Sequence, residues 1–476
     1  MKPEDSFPEF AAIMAAAGIG EAGVRAFRNS YDQLVRGSTG LFPENTIEPV
    51  TELPAFREIE ATPDDSLLGQ SVVLKLNGGL GTGMGLAGPK SLLPIKDGLN
   101  FLDFIAKQIL HLRQEHGAPV RFLLMNSFST SAETMVHLRR YPNLGPAEDL
   151  ELMQGLTPKV DANTLRPVVW PAQPSMEWCP PGHGDLYPSL LGSGWLHRLL
   201  NAGVRYLFVS NSDNLGASLD LRLLTYFARS GKSFLMEVTE RTDADKKGGH
   251  LARASDGSYL LRESAQCPEA DLAFFQDIRR HRFFNTNNLW IKLDDLKAVL
   301  DQHEGVVPLP LIKNQKTVDP RDAGSPSVFQ LETAMGAAIG CFPNAGAIEV
   351  PRSRFAPVKT TADLLALRSD AYEITPDCRL VLAPELNDRP PLVDLDPDHY
   401  KRVDQLEARL RIVPSLKGCR QLRVRGPVIF ENPAVLKGNI TVTNLEKSDA
   451  SLPAGSYKDL CLLLRGGRTE TSPNPG

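Results

Sequence analysis

The feature that most narrows the fold is a set of short apolar runs, each closed by polar or glycine-rich residues. They are SVVLKLNGG at 71–79, RFLLMNS at 121–127, RYLFVSNSDN at 205–214 and SFLMEVT at 233–239. Stretches of helical spacing separate them, such as Phe101 to Glu115 and Trp195 to Ala202. Strands that are apolar on both faces and alternate with helices predict a mostly parallel sheet covered on both sides, an α/β domain. Ligands of such sheets bind beyond the carboxyl ends of the strands. The polar residues closing each run are therefore where chemistry is to be sought.

The flanks read differently. Phe7 to Ala17 is Ala-rich, and Glu21 to Arg36 places Val24, Phe27, Tyr31 and Leu34 on one helical face. The segment LFPENTIEPVTELPAF has three prolines and no period, which predicts an extended connector packed on the next domain. After about residue 370 the helical signal weakens. LRVRGPVIFENPAVLKGNITVTN (422–444) alternates small apolar groups with Gly, Pro and Asn, as in a β-solenoid or small β-domain. The closing GGRTETSPNPG reads as a disordered tail. The expected division is 1–65, 66–375 and 376–476, in keeping with a length of 476 residues.

Composition excludes several classes. Lys plus Arg total 52 against 57 for Asp plus Glu, a net charge of −5, without the basic domain of a nucleic-acid coat protein. No apolar run approaches the roughly 18 residues of a membrane span. FAAIMAAAG is flanked by Glu4, Asp5 and Glu9, which argues against a secretory signal. Six cysteines are scattered without a CxxC pair, which points to reduced thiols and a cytoplasmic location.

Residues 72–91, VVLKLNGGLGTGMGLAGPKS, carry the strongest chemical signal. Glycines at 78, 79, 81, 83, 85 and 88 directly follow an apolar strand, and Lys90 ends the loop. Glycines let backbone N–H groups approach a ligand closely, and consecutive N–H groups form an anion-binding concavity. Gly83, Gly85 and Gly88 satisfy the dinucleotide pattern G-x-G-x-x-G. Pro89 and Lys90 then stand where a helix should open, and RFLLMNS ends in Asn126 and Ser127 rather than an acid. A Walker loop needs Lys directly after its last glycine, where Pro89 intervenes. Both readings fail, and phosphate or nucleotide binding by a different loop remains.

The stretch LKLNGGLGTGMGLAGPKS resembles the eukaryotic-type UDP-glucose pyrophosphorylase family, the UTP–glucose-1-phosphate uridylyltransferases. The resemblance continues in order through WCPPGHGDLY, FVSNSDNLGA, EVTERTDADKKGG, FFNTNNLWIKL, VFQLETAMGAAI and RFAPVKTTADLL, covering most of 70–370. It implies a Rossmann-like nucleotide-diphospho-sugar transferase core, mixed in strand direction, with an N-terminal helical segment and a C-terminal left-handed β-helix-like domain. It implies UTP and glucose 1-phosphate as substrates, UDP-glucose and pyrophosphate as products, Mg2+ as cofactor, and neither nucleic acid nor membrane as partner. Pairing of subunits through the β-rich end is compatible with it.

The resemblance also implies roles. Leu76, Asn77, Gly78 and Gly79 would face the nucleotide, with Gln154 and Gly182 at the uracil. Lys90 and Lys359 would stabilise the phosphates during transfer. Asp213, which closes YLFVSNSD, would bind the metal, although Asn-Ser-Asp-Asn is equally good turn chemistry. His183, Asn211, Ser212, Gly249, Asn285, Asn287 and Glu332 would hold the sugar phosphate. Read from the residues alone, Lys359 is a solvated lysine and FNTNN, with its amides Asn285, Asn287 and Asn288, a turn. Asp243, Asp245, Lys246 and Lys247 likewise form a solvated charge run, and Glu332 opens a small-residue helix, on a sugar hydroxyl or a neighbouring lysine. His183 in its rigid Pro-Pro-Gly-His-Gly context is expected to donate a hydrogen bond rather than act as nucleophile. Gly155 departs from the family pattern, which usually has a polar residue there.

Three competing readings are weaker. UDP-N-acetylhexosamine or broad-range pyrophosphorylases would share the chemistry, but the former carry Gln and Arg among the loop glycines. A non-catalytic sugar-nucleotide sensor would have lost Lys90, Asp213 or Lys359, and all three are present. A dehydrogenase rests on the failed glycine pattern alone.

Overall fold

The computed structural model describes residues 6–242, 245–387 and 389–474. Three of the apolar runs become the parallel centre of a ten-stranded sheet, Tyr206–Asn211 beside Ser71–Asn77 beside Arg121–Asn126, with Glu151–Met153 at the edge. Val72 and Leu74 enter one core and Val73 the other, so both faces of Ser71–Asn77 are buried. That is why its sequence lacks alternation.

On the other side of Tyr206–Asn211 the sheet turns antiparallel. Phe283–Lys292 pairs with it, and Phe234–Glu240 pairs antiparallel with Phe283–Lys292. FNTNN is therefore strand rather than turn. Asn288 lies opposite Glu237 and Asn285 opposite Val238, which leaves Thr286 and Asn287 without partners in a bulge. Asn287 takes a left-handed φ of 59° there. Bulges of this kind re-aim side chains beside a site.

The N-terminal helices form as spaced, Phe7–Ala16 and Glu21–Val35. Phe10, Met14, Phe27, Tyr31 and Leu34 pack on Val160, Leu311 and Leu331 of the central domain. The proline-rich connector contributes Ile47–Pro49 as an edge strand on His250–Ala254. It also buries Glu44, which pairs with Arg262 at 2.7 Å and Arg280 at 2.5 Å.

Beyond residue 390, Leu392–Leu395, Ser415–Arg425, Ala434–Asn444 and Leu460–Arg465 stack in parallel. Val428–Ile429 and Ala450–Ser451 form a second parallel face. This is a short parallel β-helix, filled by Leu416, Leu422, Leu436, Ile440 and Leu462, and its core runs without a break into that of the central sheet. The closing residues are not a loose tail. Arg468–Pro473 folds back antiparallel on Leu460–Arg465 and covers the last coil with polar side chains, which protects an open edge. Pro475 and Gly476 lie outside the described residues. Among the described residues no helix is long and apolar enough to cross a membrane.

Phe10 is wholly buried in the aromatic contact between the N-terminal helices. Phe10→Ala is predicted to destabilise the fold by about 3–5 kcal/mol. A denaturant titration should show this as a clearly lower midpoint, and an unchanged midpoint would mean that the helical hairpin contributes little to folding.

Candidate active site

The carboxyl ends of the parallel strands are joined by a row of buried amides. Glu151 accepts from Asn126 at 2.6 Å, Asn126 accepts from Asn77 at 2.7 Å, and Asn77 accepts from Ser212 at 3.1 Å. The Ser212 amide donates to the Leu76 carbonyl at 3.0 Å. The side chains of Asn77 and Ser212 are thus committed to holding strand ends together. What they offer a ligand is the backbone that follows, Gly78 and Gly79.

The glycine loop leaves the sheet at Gly78 and returns when the Lys90 amide donates to the Gly79 carbonyl at 3.2 Å. Gly81 and Gly85, both left-handed, bracket a single turn at Thr82–Met84. Lys90 is thereby delivered back over the strand ends, where its ammonium meets Asp213 at 2.6 Å. Both side chains keep some exposure, 15% and 21%.

Asp213 and Lys359 lie on adjoining backbones. The Val358 amide donates to the Asp213 carbonyl at 3.2 Å, and Asn214 bridges to Pro357. Lys359 is exposed, with its Nζ 5.7 Å from the Phe284 ring centre and 5.8 Å from that of Phe355. Thr360 and Asp363 cap the helix Thr361–Arg368 that follows, which fixes where the lysine leaves the backbone.

Gln154 follows Glu151–Met153, its amide hydrogen-bonded to the Asn126 carbonyl at 2.7 Å. Its side-chain nitrogen donates to the Gly182 carbonyl at 3.2 Å. Gly182 has φ of +80° and abuts the backbone of Thr333, leaving no room for a side chain. His183 accepts from the Met335 amide through Nδ1 at 2.9 Å, which places its proton on Nε2. Burial lowers its pKa to about 4. Its Nε2–H is therefore left as a neutral donor.

Asn285 and Asn287 hydrogen-bond each other across the bulge, at 2.8 Å and 2.9 Å. Asn288, the third amide of the run, is fully buried on Glu237 and the Arg354 carbonyl and is no candidate for a ligand. Glu332 ends the strand Ser327–Glu332 instead of opening a helix; the small residues after it form a short 3-10 turn, Met335–Gly340. Its Cβ lies beside Gly182, and it makes no ion pair with a lysine among the described residues. Asn211 ends its strand next to Ser212.

The charge run is only partly solvated. Asp245 is buried, and Arg352 holds it through two hydrogen bonds, at 2.7 Å and 3.0 Å, keeping its carboxyl below the usual range despite burial. Asp243 lies outside the described residues. Gly249 is a point of close approach, since a Cβ there would sit 2.5 Å from a Glu263 oxygen. Burial raises the pKa of Glu263 while Lys359 opposes that rise. Sequence reasoning missed Glu263. LRESAQ carries no motif, and only the pairing of His250–Ala254 with Tyr259–Arg262 brings it to the site.

No cluster of three or more His, Cys, Asp or Glu able to hold a metal occurs among the described residues. Asp213 is the one carboxylate among the described residues that meets Lys90 at the end of the glycine loop. That donor set fits Mg2+, which is typically held by one or two carboxylates together with substrate phosphates.

Glycine-loop amides, two lysines and a carboxylate thus meet at the carboxyl edge of a mixed sheet, where ligands of such sheets bind. Residues 24–437 match the UTP–glucose-1-phosphate uridylyltransferase family. A uridylyltransferase of that name from Encephalitozoon cuniculi is 40% identical over 416 residues, covering 87% of this chain and 82% of the relative. The barley enzyme, from Hordeum vulgare, is 40% identical over 392 residues, 82% of this chain and 81% of its own. A point mutant of the Leishmania major UDP-glucose pyrophosphorylase, in complex with UDP-glucose, superposes with a TM-score of 0.92 at 48% identity, covering 97% of this chain and 100% of that one. A Trypanosoma brucei UDP-glucose phosphorylase gives 0.89 at 49%, covering 97% and 100%. The chain belongs to the UTP–glucose-1-phosphate uridylyltransferase family.

The pKa of His183 has a consequence for stability. The folded protein keeps the ring neutral down to about pH 4, whereas the unfolded chain takes up a proton near 6.5. Stability present above about pH 6.5 is therefore lost as pH falls toward about 4. His183→Asn, which keeps an acceptor for Met335, is predicted to lose less stability over that window. Denaturant melts of both proteins at about pH 7 and about pH 4.5 measure the difference; equal losses would refute the assignment.

Proposed function

We propose that the protein forms UDP-glucose and pyrophosphate from UTP and glucose 1-phosphate by direct in-line transfer, without a covalent intermediate. The observation that carries this reading is the convergence of Lys90, Asp213 and Lys359, from three separate chain segments, at the carboxyl edge of the sheet. A phosphate monoester is mostly dianionic at neutral pH, so no general base is needed to make the nucleophile. The site has to bring polyanions together and neutralise the charge that develops.

The triphosphate lies along Gly78–Gly79 and the Lys90 ammonium, with the uracil against Gln154 and Gly182. Lys90 exchanges Asp213 for phosphate oxygens as the nucleotide enters. Asp213 would then hold Mg2+, which when bound neutralises phosphate charge and aligns the triphosphate. The sugar hydroxyls meet Asn285, Asn287 and Glu263, and its phosphate lies within reach of the Nε2–H of His183 and of Lys359. A sugar-phosphate oxygen bonds to the α-phosphorus, the α–β bridging bond breaks, and pyrophosphate leaves with that electron pair. Lys359 faces the transferring phosphate, and Lys90 the departing one.

Purified protein with Mg2+, UTP and a panel of sugar 1-phosphates is expected to release pyrophosphate fastest with glucose 1-phosphate. A preference for N-acetylglucosamine 1-phosphate would move the substrate, and no release with any sugar would overturn the reading. Lys90→Ala and Lys359→Ala should each lower kcat by about 100-fold or more with unfolding midpoints near the parent's. Near-normal turnover in either variant would displace the site.

A further inference from the structure

Asp185 is buried, yet no cation pairs with it among the described residues. Its Oδ2 accepts from the Gly155 amide at 2.7 Å and from the Ser189 hydroxyl at 2.7 Å. Burial without a counter-charge raises its pKa to about 6. A buried carboxylate is costly and persists where its hydrogen bonds hold something that matters.

What it holds is the residue after Gln154. The contacts close a ring. The Asp185 carboxylate fixes the amide of Gly155, the Gln154 side-chain nitrogen donates to the Gly182 carbonyl at 3.2 Å, and that same carbonyl accepts from the Asp185 amide at 3.3 Å. With its nitrogen committed to Gly182, the Gln154 amide must turn its oxygen the other way. That oxygen lies 2.5 Å from where a Cβ on Gly78 would sit, over the first glycine of the nucleotide loop.

A lone acceptor presented to a pyrimidine distinguishes uracil from cytosine. Uracil N3 carries a proton and donates to it; cytosine N3 carries a lone pair and repels it. An unmade contact of that kind in a desolvated site costs more than the made one contributes. We propose that Asp185 is a positioning residue for base selection, clamping Gly155 so that the Gln154 oxygen, not its nitrogen, faces uracil N3–H. This rests on the placement of uracil at Gln154 given above.

The test is the ratio of kcat/KM for UTP to that for CTP, a quantity that a general loss of packing does not shift. Asp185→Leu removes the acceptor and is expected to lower the ratio by about tenfold or more. Asp185→Asn keeps an acceptor for Gly155 and should stay within about threefold of the parent. Gln154→Leu should remove most of the discrimination. If Asp185→Leu does not fold, Asp185→Ala makes the same measurement. It leaves both donors to the adjoining cavity of about 50 Å³ that Gly155 and Asp185 line, and the same drop is expected. An unchanged ratio in Gln154→Leu would place the base elsewhere and remove the ground of the proposal. A drop in Gln154→Leu with none in the Asp185→Leu or Asp185→Ala variant would overturn the positioning role alone. A fall in Asp185→Asn as large as in Asp185→Leu would overturn it too.

Discussion

The arrangement of the site depends on one buried ion pair. Glu237 is fully buried in Phe234–Glu240, and both its oxygens accept from Arg354 at 2.7 Å. The same carboxylate accepts from the Trp290 indole at 2.9 Å and the Asn288 amide at 3.0 Å. Asn214 bonds to Asn288 and to the Arg354 carbonyl. The network joins two antiparallel strands to the turn carrying Asp213 and to the segment carrying Lys359. A buried pair with so many satisfied partners adds little net stability, while loss of one member costs about 3–5 kcal/mol. Its value here is register, because it fixes the two backbones on which the carboxylate and the second lysine stand.

A second buried cation supports the same turn from behind. Lys75 is 2% exposed, and its Nζ donates to Ser210 at 2.7 Å and to the Ala217 carbonyl. These two contacts close the chain segment that bears Asn211, Ser212 and Asp213. Desolvation lowers its pKa to about 7, against the pull of Glu237 and Asp213. Lys90 holds the Asp213 carboxylate at 2.6 Å, while Lys75, with its pKa lowered to about 7, serves the turn chiefly through its two hydrogen bonds rather than as a standing charge.

The parallel core was legible because Val72 to Leu74, Phe122 to Leu124 and Leu207 to Val209 are buried on both faces, and burial on both faces writes a continuous apolar run. The N-terminal helices were legible through the spacing of Phe27, Tyr31 and Leu34. What sequence spacing could not give were contacts made across long separations. FNTNN is turn-like in composition but lies in a strand whose bulge is set by Glu237, some fifty residues earlier. Asp245 looked solvated because Arg352, its partner, is 107 residues away. The closing residues are polar because they cover an edge, a composition that resembles disorder. Lys90 was legible as the cation ending the glycine loop, while the roles of Asp213 and Lys359 came from family resemblance, and only the folded backbone brings the three segments together. Glu263 had no such signal, and Asp185, though inside WCPPGHGDLY, had no role until the fold showed what it holds.

The two lysines are prepared in different ways. Lys90 already holds a carboxylate at 2.6 Å, so any incoming anion has to displace a partner. Lys359 is held over two aromatic faces with no ion pair among the described residues, and Glu263, whose pKa burial raises, has Lys359 opposing that rise. An ammonium over aromatic rings keeps its donors available, since ring faces attract the charge without occupying the N–H bonds. One lysine is therefore paired and the other unpaired among the described residues. A net charge of −5 for the whole chain carries no trace of this. Local charge follows from which backbones the fold brings together, here those carrying Lys90, Asp213 and Lys359.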